Sequence, residues 1–355
     1  MSHHLAQELA TAQGWTVTLA AHGSAGAPPA LGERYQRLTI RAANGIERRF
    51  GLPLLLPHPW DLLALRRAVR QADVVIQHDC VYLAHLVALW CVRPGTRAIV
   101  VKHTGTVRFS NWLGRTLFGL LNRRVFPFFL RKADALVFVT QAKRDNFAPV
   151  EGVPAVIIPN GVDTRLFAPS SVARDGSLLF AGRFVDKKGI HIIRELARLL
   201  PQHRFVLAGF GPVDPRHWKL ANIECHWSPD AETLAGLYAR ARAVVLPGET
   251  EGTPLVALEA LACGTPVLIG DKGIAPDPAL TRQLTMLPVN VDRPVETAQL
   301  WAARLEGAID ESRPERRVIV TAYGTGRMAQ DYRALIATLD PTCRNANRRD
   351  PPGAG

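Results

Sequence analysis

Gly248-Glu-Thr-Glu-Gly-Thr-Pro-Leu-Val-Ala-Leu-Glu-Ala-Leu-Ala-Cys-Gly-Thr-Pro-Val267 decides the reading of this 355-residue chain. One apolar run, 243–246, leads into it and another, 266–269, leaves it. Between them Thr253 is placed to cap a helix, and Pro254 stands at the first helical position, where a missing N–H costs nothing. The helix is expected over 255–262. Strand, helix, strand joined by short loops is the building unit of a parallel α/β sheet. The amides of Leu255 and Val256 open the helix without intrahelical partners, which makes that end an anion site. Glu251 lies just before the helix and Glu259 inside it. Carboxylates only accept hydrogen bonds, so a pair of them beside an anion site suits a polyhydroxylated, phosphate-bearing ligand. Either glutamate alone reads more simply as a helix-start residue favoured by the dipole. The constellation carries the ligand reading.

The same alternation extends outward. Strands are expected at 177–180 and 205–208, with helices at 190–200 and 231–240. Toward the N-terminus the pattern predicts helices at 5–12, 62–71, 81–91 and 111–132. Strands fall at 16–20, 37–42, 49–56, 73–76, 97–101, 135–139 and 155–158. Residues 160–175, rich in Pro, Ser, Asp and Gly, read as a linker. The fold class is therefore α/β, with two doubly wound domains at 1–163 and 164–322. A final helix follows within 323–340, then a disordered tail, 341–355.

Composition narrows the function. With 47% hydrophobic and 21% charged residues the chain is globular, not wholly disordered. The longest apolar run, 81–92, contains His85 and falls far short of the ~20 residues a spanning helix needs. Five cysteines without C-x-x-C spacing argue against a disulfide framework or zinc site. The opening Met1-Ser-His-His4 lacks a basic-then-apolar leader, so a cytoplasmic protein is expected. Asp-x-Asp does not occur, and no His/Asp/Glu cluster has ligand spacing, so neither metal nor other cofactor is expected. The net charge of +12 favours anionic partners. Basic residues concentrate in 102–144, nine Lys/Arg against Asp134 alone, interleaved with Phe118, Leu121, Phe126, Phe128 and Phe129. That composition suits either an anionic bilayer surface or ordinary core packing of the aromatics. No motif supports nucleic-acid binding.

A second signal is Phe180-Ala-Gly-Arg-Phe-Val-Asp-Lys-Lys-Gly-Ile190. A strand ends there, and Arg183 and Lys188 occupy the turn before the next helix, where ligands of open α/β sheets bind. A guanidinium fork plus an ammonium point charge fits a diphosphate, with a solvated basic loop as the plainer alternative. Lys187 is expected to face away.

With these two stretches the chain resembles the family 4 retaining glycosyltransferases (glycosyl transferases group 1). Ile157-Ile-Pro-Asn-Gly-Val-Asp163, Ala208-Gly-Phe-Gly-Pro212 and Arg131-Lys-Ala-Asp-Ala135 also match that pattern. The resemblance implies the GT-B fold, two Rossmann-like domains facing a central cleft, with the last helix packing back on the first domain. It implies that a nucleotide diphosphate sugar is the donor and a glycan or glycolipid hydroxyl the acceptor, in cell-envelope synthesis at or near the inner membrane surface. By the same resemblance Arg183, Lys188, Leu255 and Val256 hold the diphosphate, and Glu251, Gly252 and Thr253 meet the donor sugar. Glu259 holds the ribose, Gly209 and Gly211 line the nucleotide pocket, and His103 faces the donor sugar. Thr253-Pro254 stands where the family often has Phe-Gly, which removes one backbone donor. Met1 falls where the family is already in its first helix, so the first domain is expected to lack its opening strand, leaving 16–20 and 97–101 beside a gap. Two other readings stay open from sequence: a nucleotide-sugar-binding protein without turnover, and a sugar-nucleotide epimerase of the same fold.

Overall fold

Leu178, Leu179, Phe180 and Ala181 are all buried, and their side chains alternate between two separate apolar clusters. A strand buried on both faces belongs to a parallel sheet covered by helices on each side. The computed structural model describes residues 2–12, 14–22, 33–43, 55–80, 82–103, 116, 119, 121, 125–249, 255–272, 277–311 and 314–339. It divides into one unit of residues 1–159 with 328–355 and a second of residues 160–327.

The first unit contains α1 (Ser2–Thr11), β1 (Val17–His22), β2 (Tyr35–Ile40), β3 (Ala42–Ala43), β4 (Leu56–Pro57) and α2 (Pro59–Gln71). It continues with β5 (Val74–His78), α3 (Leu83–Cys91), β6 (Arg97–Lys102), α4 (Phe126–Leu130), β7 (Ala135–Phe138), α5 (Gln141–Asp145) and β8 (Ala155–Ile157). Strands β5-β6-β7-β8 form a four-stranded parallel sheet, and β1 pairs in parallel with β2 separately. This corrects one expectation. The strand at 97–101 flanks no gap: β6 is central, paired on both sides, while β1 and β5 each have one partner among the described residues. The last described helix, Thr325–Thr338, sends Met328, Ala329, Tyr332 and Ile336 into a core with Leu5, Leu9, Val101 and Val137.

The second unit holds β9 (Leu178–Arg183), α6 (Ile190–Leu199), β10 (Phe205–Phe210), β11 (Ile223–Trp227), α7 (Ala231–Arg240), β12 (Ala243–Leu246) and α8 (Leu255–Ala262). Then come β13 (Val267–Gly270), α9 (Pro278–Thr281), β14 (Thr285–Leu287), α10 (Pro294–Glu311), α11 (Arg316–Tyr323) and the start of α12 (Thr325–Thr338). The strand order β11-β10-β9-β12-β13-β14 is the dinucleotide-fold order, with its switch point between β9 and β12. Helices α7, α8 and α11 cover one face; α6 and α10, with Trp301 fully buried, cover the other.

Several elements differ from the sequence reading. Residues 160–175 are not a loose linker: Phe167 is buried against Tyr238, and the Val162 amide donates to the Tyr323 carbonyl at 2.7 Å. Strands β11 and β14 and helices α10 and α11 were not expected. β11 is short and half-buried with Glu224 and His226 in it, so it lacks the apolar run used to find the others. The described part of the helix expected at 111–132 ends at Leu130.

Candidate active site

At the switch point of the second unit, β9 ends in Arg183 and a single 3₁₀ turn, Asp186–Lys188, follows. Gly189 then starts α6 with φ +73°. A Cβ at Gly189 would lie 2.1 Å from the Pro247 carbonyl oxygen, so only glycine lets the loop after β9 touch the loop after β12. The Glu249 amide also donates to the Lys187 carbonyl at 3.3 Å. The two loops at the carboxyl ends of adjacent strands are thereby tied together. Arg183 and Lys187 are exposed and Lys188 is half-buried. Gly209 and Gly211 close the neighbouring strand end. A Cβ on Gly209 would meet the Gly182 carbonyl oxygen at 1.8 Å, and one on Gly211 the Phe184 carbonyl oxygen at 2.3 Å.

Helix α8 begins at Leu255, with Leu255 and Val256 half-buried against the core below. The first amides of a helix have no intrahelical partner. Glu251, Gly252, Thr253 and Pro254, singled out from sequence, lie outside the described residues. Glu259 is half-buried, and the Tyr238 hydroxyl donates to its Oε2 at 2.9 Å. Burial raises the pKa of the Glu259 carboxyl, opposed by that hydrogen bond. Tyr238 is itself fully buried on α7. Sequence reasoning missed it because an aromatic at helical spacing is ordinarily core; only the carboxylate across from it shows that its hydroxyl has a partner.

In the first unit His103 follows the last residue of β6, and His78 ends β5. Their rings lie 5.0 Å apart at 15°, with His78 Nδ1 2.7 Å from His103 Nε2. Burial, first, and the neighbouring His103 charge push the His78 pKa down to about 3. Burial also lowers His103, opposed by Asp79 and reinforced by Lys143. Lys102 is buried and meets the Asp79 carboxylate at 3.3 Å. Asp79 is held at φ +63°, a left-handed conformation that a non-glycine residue adopts at some cost. The Lys143 ammonium donates to the His103 carbonyl. The sequence gives His78, Asp79, Lys102 and Lys143 no catalytic role; the register of β5 and β6 brings the first three to His103, and α5 brings Lys143.

The basic-aromatic stretch is partly absorbed by the fold. Phe126 is buried and Leu121 and Phe129 pack against the same core, whereas Phe128 is 53% exposed. Arg131 pairs with Glu151 at 3.7 Å, and the Lys132 ammonium sits 4.2 Å over the Trp90 ring, itself 60% exposed. Arg108, Arg115, Phe118, Arg123 and Arg124 lie outside the described residues.

A parallel sheet in the dinucleotide-fold order, with a cationic loop and a helix start beyond neighbouring strand ends, defines the class of α/β protein that binds ligands at such a switch point. Residues 1–166 match the family described as Glycosyltransferase Family 4, and residues 175–300 match Glycosyl transferases group 1. A GDP-mannose-dependent alpha-(1-6)-phosphatidylinositol monomannoside mannosyltransferase from Mycolicibacterium smegmatis is 27% identical, over 70% of this chain and 72% of that one. A D-inositol 3-phosphate glycosyltransferase from Kineococcus radiotolerans is 33% identical over 56% of this chain and 54% of that one. Among solved structures, sucrose-phosphate synthase from Thermosynechococcus elongatus superposes with a TM-score of 0.66 at 18% identity, covering 94% of this chain and 92% of that one. The chain belongs to glycosyltransferase family 4 and has the GT-B fold. It is an enzyme of glycosyl transfer from nucleotide sugars.

Proposed function

We propose that this enzyme moves a sugar from a nucleotide diphosphate sugar to a hydroxyl of a polyol or glycolipid acceptor, with retention at the anomeric carbon. The observation that carries the reading is the second unit's switch point, where Arg183, Lys188 and the start of α8 follow adjacent strands. Negative charge develops on the departing diphosphate. A guanidinium, an ammonium and helix amides fixed before the reaction stabilise it without a metal ion. Glu259, steadied by Tyr238, accepts from ribose hydroxyls. Glu251, Gly252 and Thr253 hold the donor sugar, Gly209 and Gly211 line the nucleotide pocket, and His103 contacts the transferred sugar.

GDP-mannose and an inositol-containing acceptor are the natural first substrates, given what the mycolicibacterial and Kineococcus relatives are named for. A place at the inner membrane surface is supported by exposed Trp90 and Phe128 beside Lys132. A cavity of about 390 Å³ lined by Arg66, Arg70, Trp90 and Arg93 adds cationic character to the same unit. Among the described residues no helix is long and apolar enough to cross a membrane.

Thermal unfolding in the presence of different nucleotide sugars identifies the donor, since a ligand at ~100 times its Kd adds ~2.7 kcal/mol. NMR of the product then reads its anomeric configuration, and a chelator added to the assay should leave turnover unchanged. An inverted product, or protection by no nucleotide sugar, would overturn the proposal.

A further inference from the structure

Helix α2 packs on α3 through Leu65 and Val69, which are buried with Ala84, Ala88 and Val92. Arg66 and Arg70 each come one residue later, so they form the neighbouring row of α2, one turn apart beside the buried seam. Arg66 is exposed and Arg70 half-buried. Like charges at this spacing repel, and the one acid of α2, Asp61, is bound to Arg41 at 2.8 Å. Among the described residues neither Arg66 nor Arg70 makes a hydrogen bond or ion pair. Both line the cavity of about 390 Å³, together with Trp90 and Arg93.

The place of this cavity in the fold separates it from the strand ends that carry the histidines. Helices α2 and α3 end where β5 and β6 begin, so the cavity lies at the amino-terminal edge of the four-stranded sheet. His78 stands at the other edge, a strand's length away, ~13 Å for β5 at ~3.3 Å per residue. The rim of the cavity is apolar. Trp90 and Phe128 are exposed with their rings 6.5 Å apart, and the Lys132 ammonium lies over Trp90. Trp90 is therefore shared between the arginine cavity and a further cation.

A guanidinium fork matches the oxygens of a phosphate, and Arg66 and Arg70 have no ion pair to give up on taking one. A free phosphate would leave the exposed rings unused. A phospholipid engages both groups: its phosphate meets the arginines, and the rings sit at headgroup level, where tryptophan settles in membranes. We infer that this cavity holds the phosphate of an anionic phospholipid, bound by Arg66, Arg70 and Arg93, while Trp90 and Phe128 enter the margin of the bilayer. The inference rests on the membrane-surface reading above and adds to it a lipid class and a docking edge.

The test is sedimentation of the full chain with mixed phosphatidylcholine–phosphatidylglycerol vesicles and with pure phosphatidylcholine vesicles. The wild type should bind the mixed vesicles and not the neutral ones. Arg66→Gln/Arg70→Gln should weaken that binding at least about tenfold, whereas Arg304→Gln/Arg317→Gln, which removes two exposed charges from the second unit, should stay within about twofold. Trp90→Ala/Phe128→Ala should weaken it as well. Melting temperatures of all three variants should match the wild type, so that a loss reads binding and not unfolding. Equal losses in the two arginine pairs would overturn the site and leave only the general attraction of a basic chain to anionic lipid. No vesicle binding by the wild type would overturn the membrane-surface reading along with it. Inorganic phosphate that protects the wild type but not Arg66→Gln/Arg70→Gln against thermal unfolding, without vesicle binding, would assign the cavity to a free phosphate instead.

Discussion

The two units use the same alternation of strand and helix differently. In the second, six parallel strands run without interruption between two apolar layers, and the ligand-binding groups sit on loops beyond the strand ends. Arg183 is exposed and Lys188 half-buried. In the first, the described strands form separate sheets of four, two and two, and the chemical groups stand at the strand ends themselves, half-buried or buried and bonded to one another. Loops carry binding at little cost to the core. Strand-end histidines and lysines tie the site to the stability of the unit that holds it.

The sharpest separation of the units should come from Trp301→Ala. Trp301 is fully buried in the second unit, and its indole N–H donates to the Pro288 carbonyl at 2.8 Å. Removing it should cost ~3–5 kcal/mol. Denaturant melts followed by hydrogen exchange should show the loss in residues 178–311, while amides of β6 and β7 stay protected. Uniform loss across both units would show that they unfold as one.

Arg183→Ala should have the next largest effect, a cost of ~2–4 kcal/mol in transition-state stabilisation by analogy with other charge-stabilising donors. Because Arg183 is exposed, the melting temperature should barely move. Activity within about tenfold of wild type would remove it from the diphosphate site.

Acid should weaken the first unit before the second. His78, His85 and His103 have folded pKa values below 6.5, so the unfolded chain binds more protons once the pH drops under that value. Their contribution is complete above pH 6.5 and is lost as pH falls toward the folded values, by up to ~1.4 kcal/mol per pH unit per group. In the second unit Asp175 and Glu224 have lowered pKa values, so their contributions are lost only under the ordinary carboxylate range. Unfolding measured between pH 7 and 4.5 with region-resolved exchange checks the order. Equal sensitivity of both units would break the contrast.

The smallest effect is expected for Glu259→Gln. Its carboxyl pKa is raised by burial, so the ionised form at pH 7 costs stability, and the contribution present at low pH fades as pH rises through the folded value. The neutral amide still accepts from Tyr238, so the variant should be slightly more stable at pH 7, by under about 1 kcal/mol, yet bind nucleotide diphosphate more weakly. Calorimetry of both quantities on one sample decides it. Unchanged nucleotide affinity would move the ribose contact elsewhere.

The second unit was legible because its strands are apolar runs bounded by glycine and proline. Leu178 to Ala181 and Val244 to Leu246 read as buried from their residue types alone, and Gly189 marks a turn that only glycine fits. β11 was not legible, since Glu224 and His226 give a half-buried strand no periodic apolar signal. The segment from Val162 to Phe167 read as a linker because its composition is polar, yet two apolar side chains suffice to seat it on the core.

By itself the sequence determined the class of fold and the placement of Arg183, Lys188 and the α8 start after strands, which follow from local rules: strand ends, capping, turn chemistry and charge type. The candidacy of His103 came from the family resemblance. Tertiary structure decided which histidine touches His103, that Asp79 neutralises Lys102, and that Tyr238 holds Glu259. Those contacts join residues about 20 apart or more in the chain, and only strand register and helix packing bring them within hydrogen-bond or ion-pair distance.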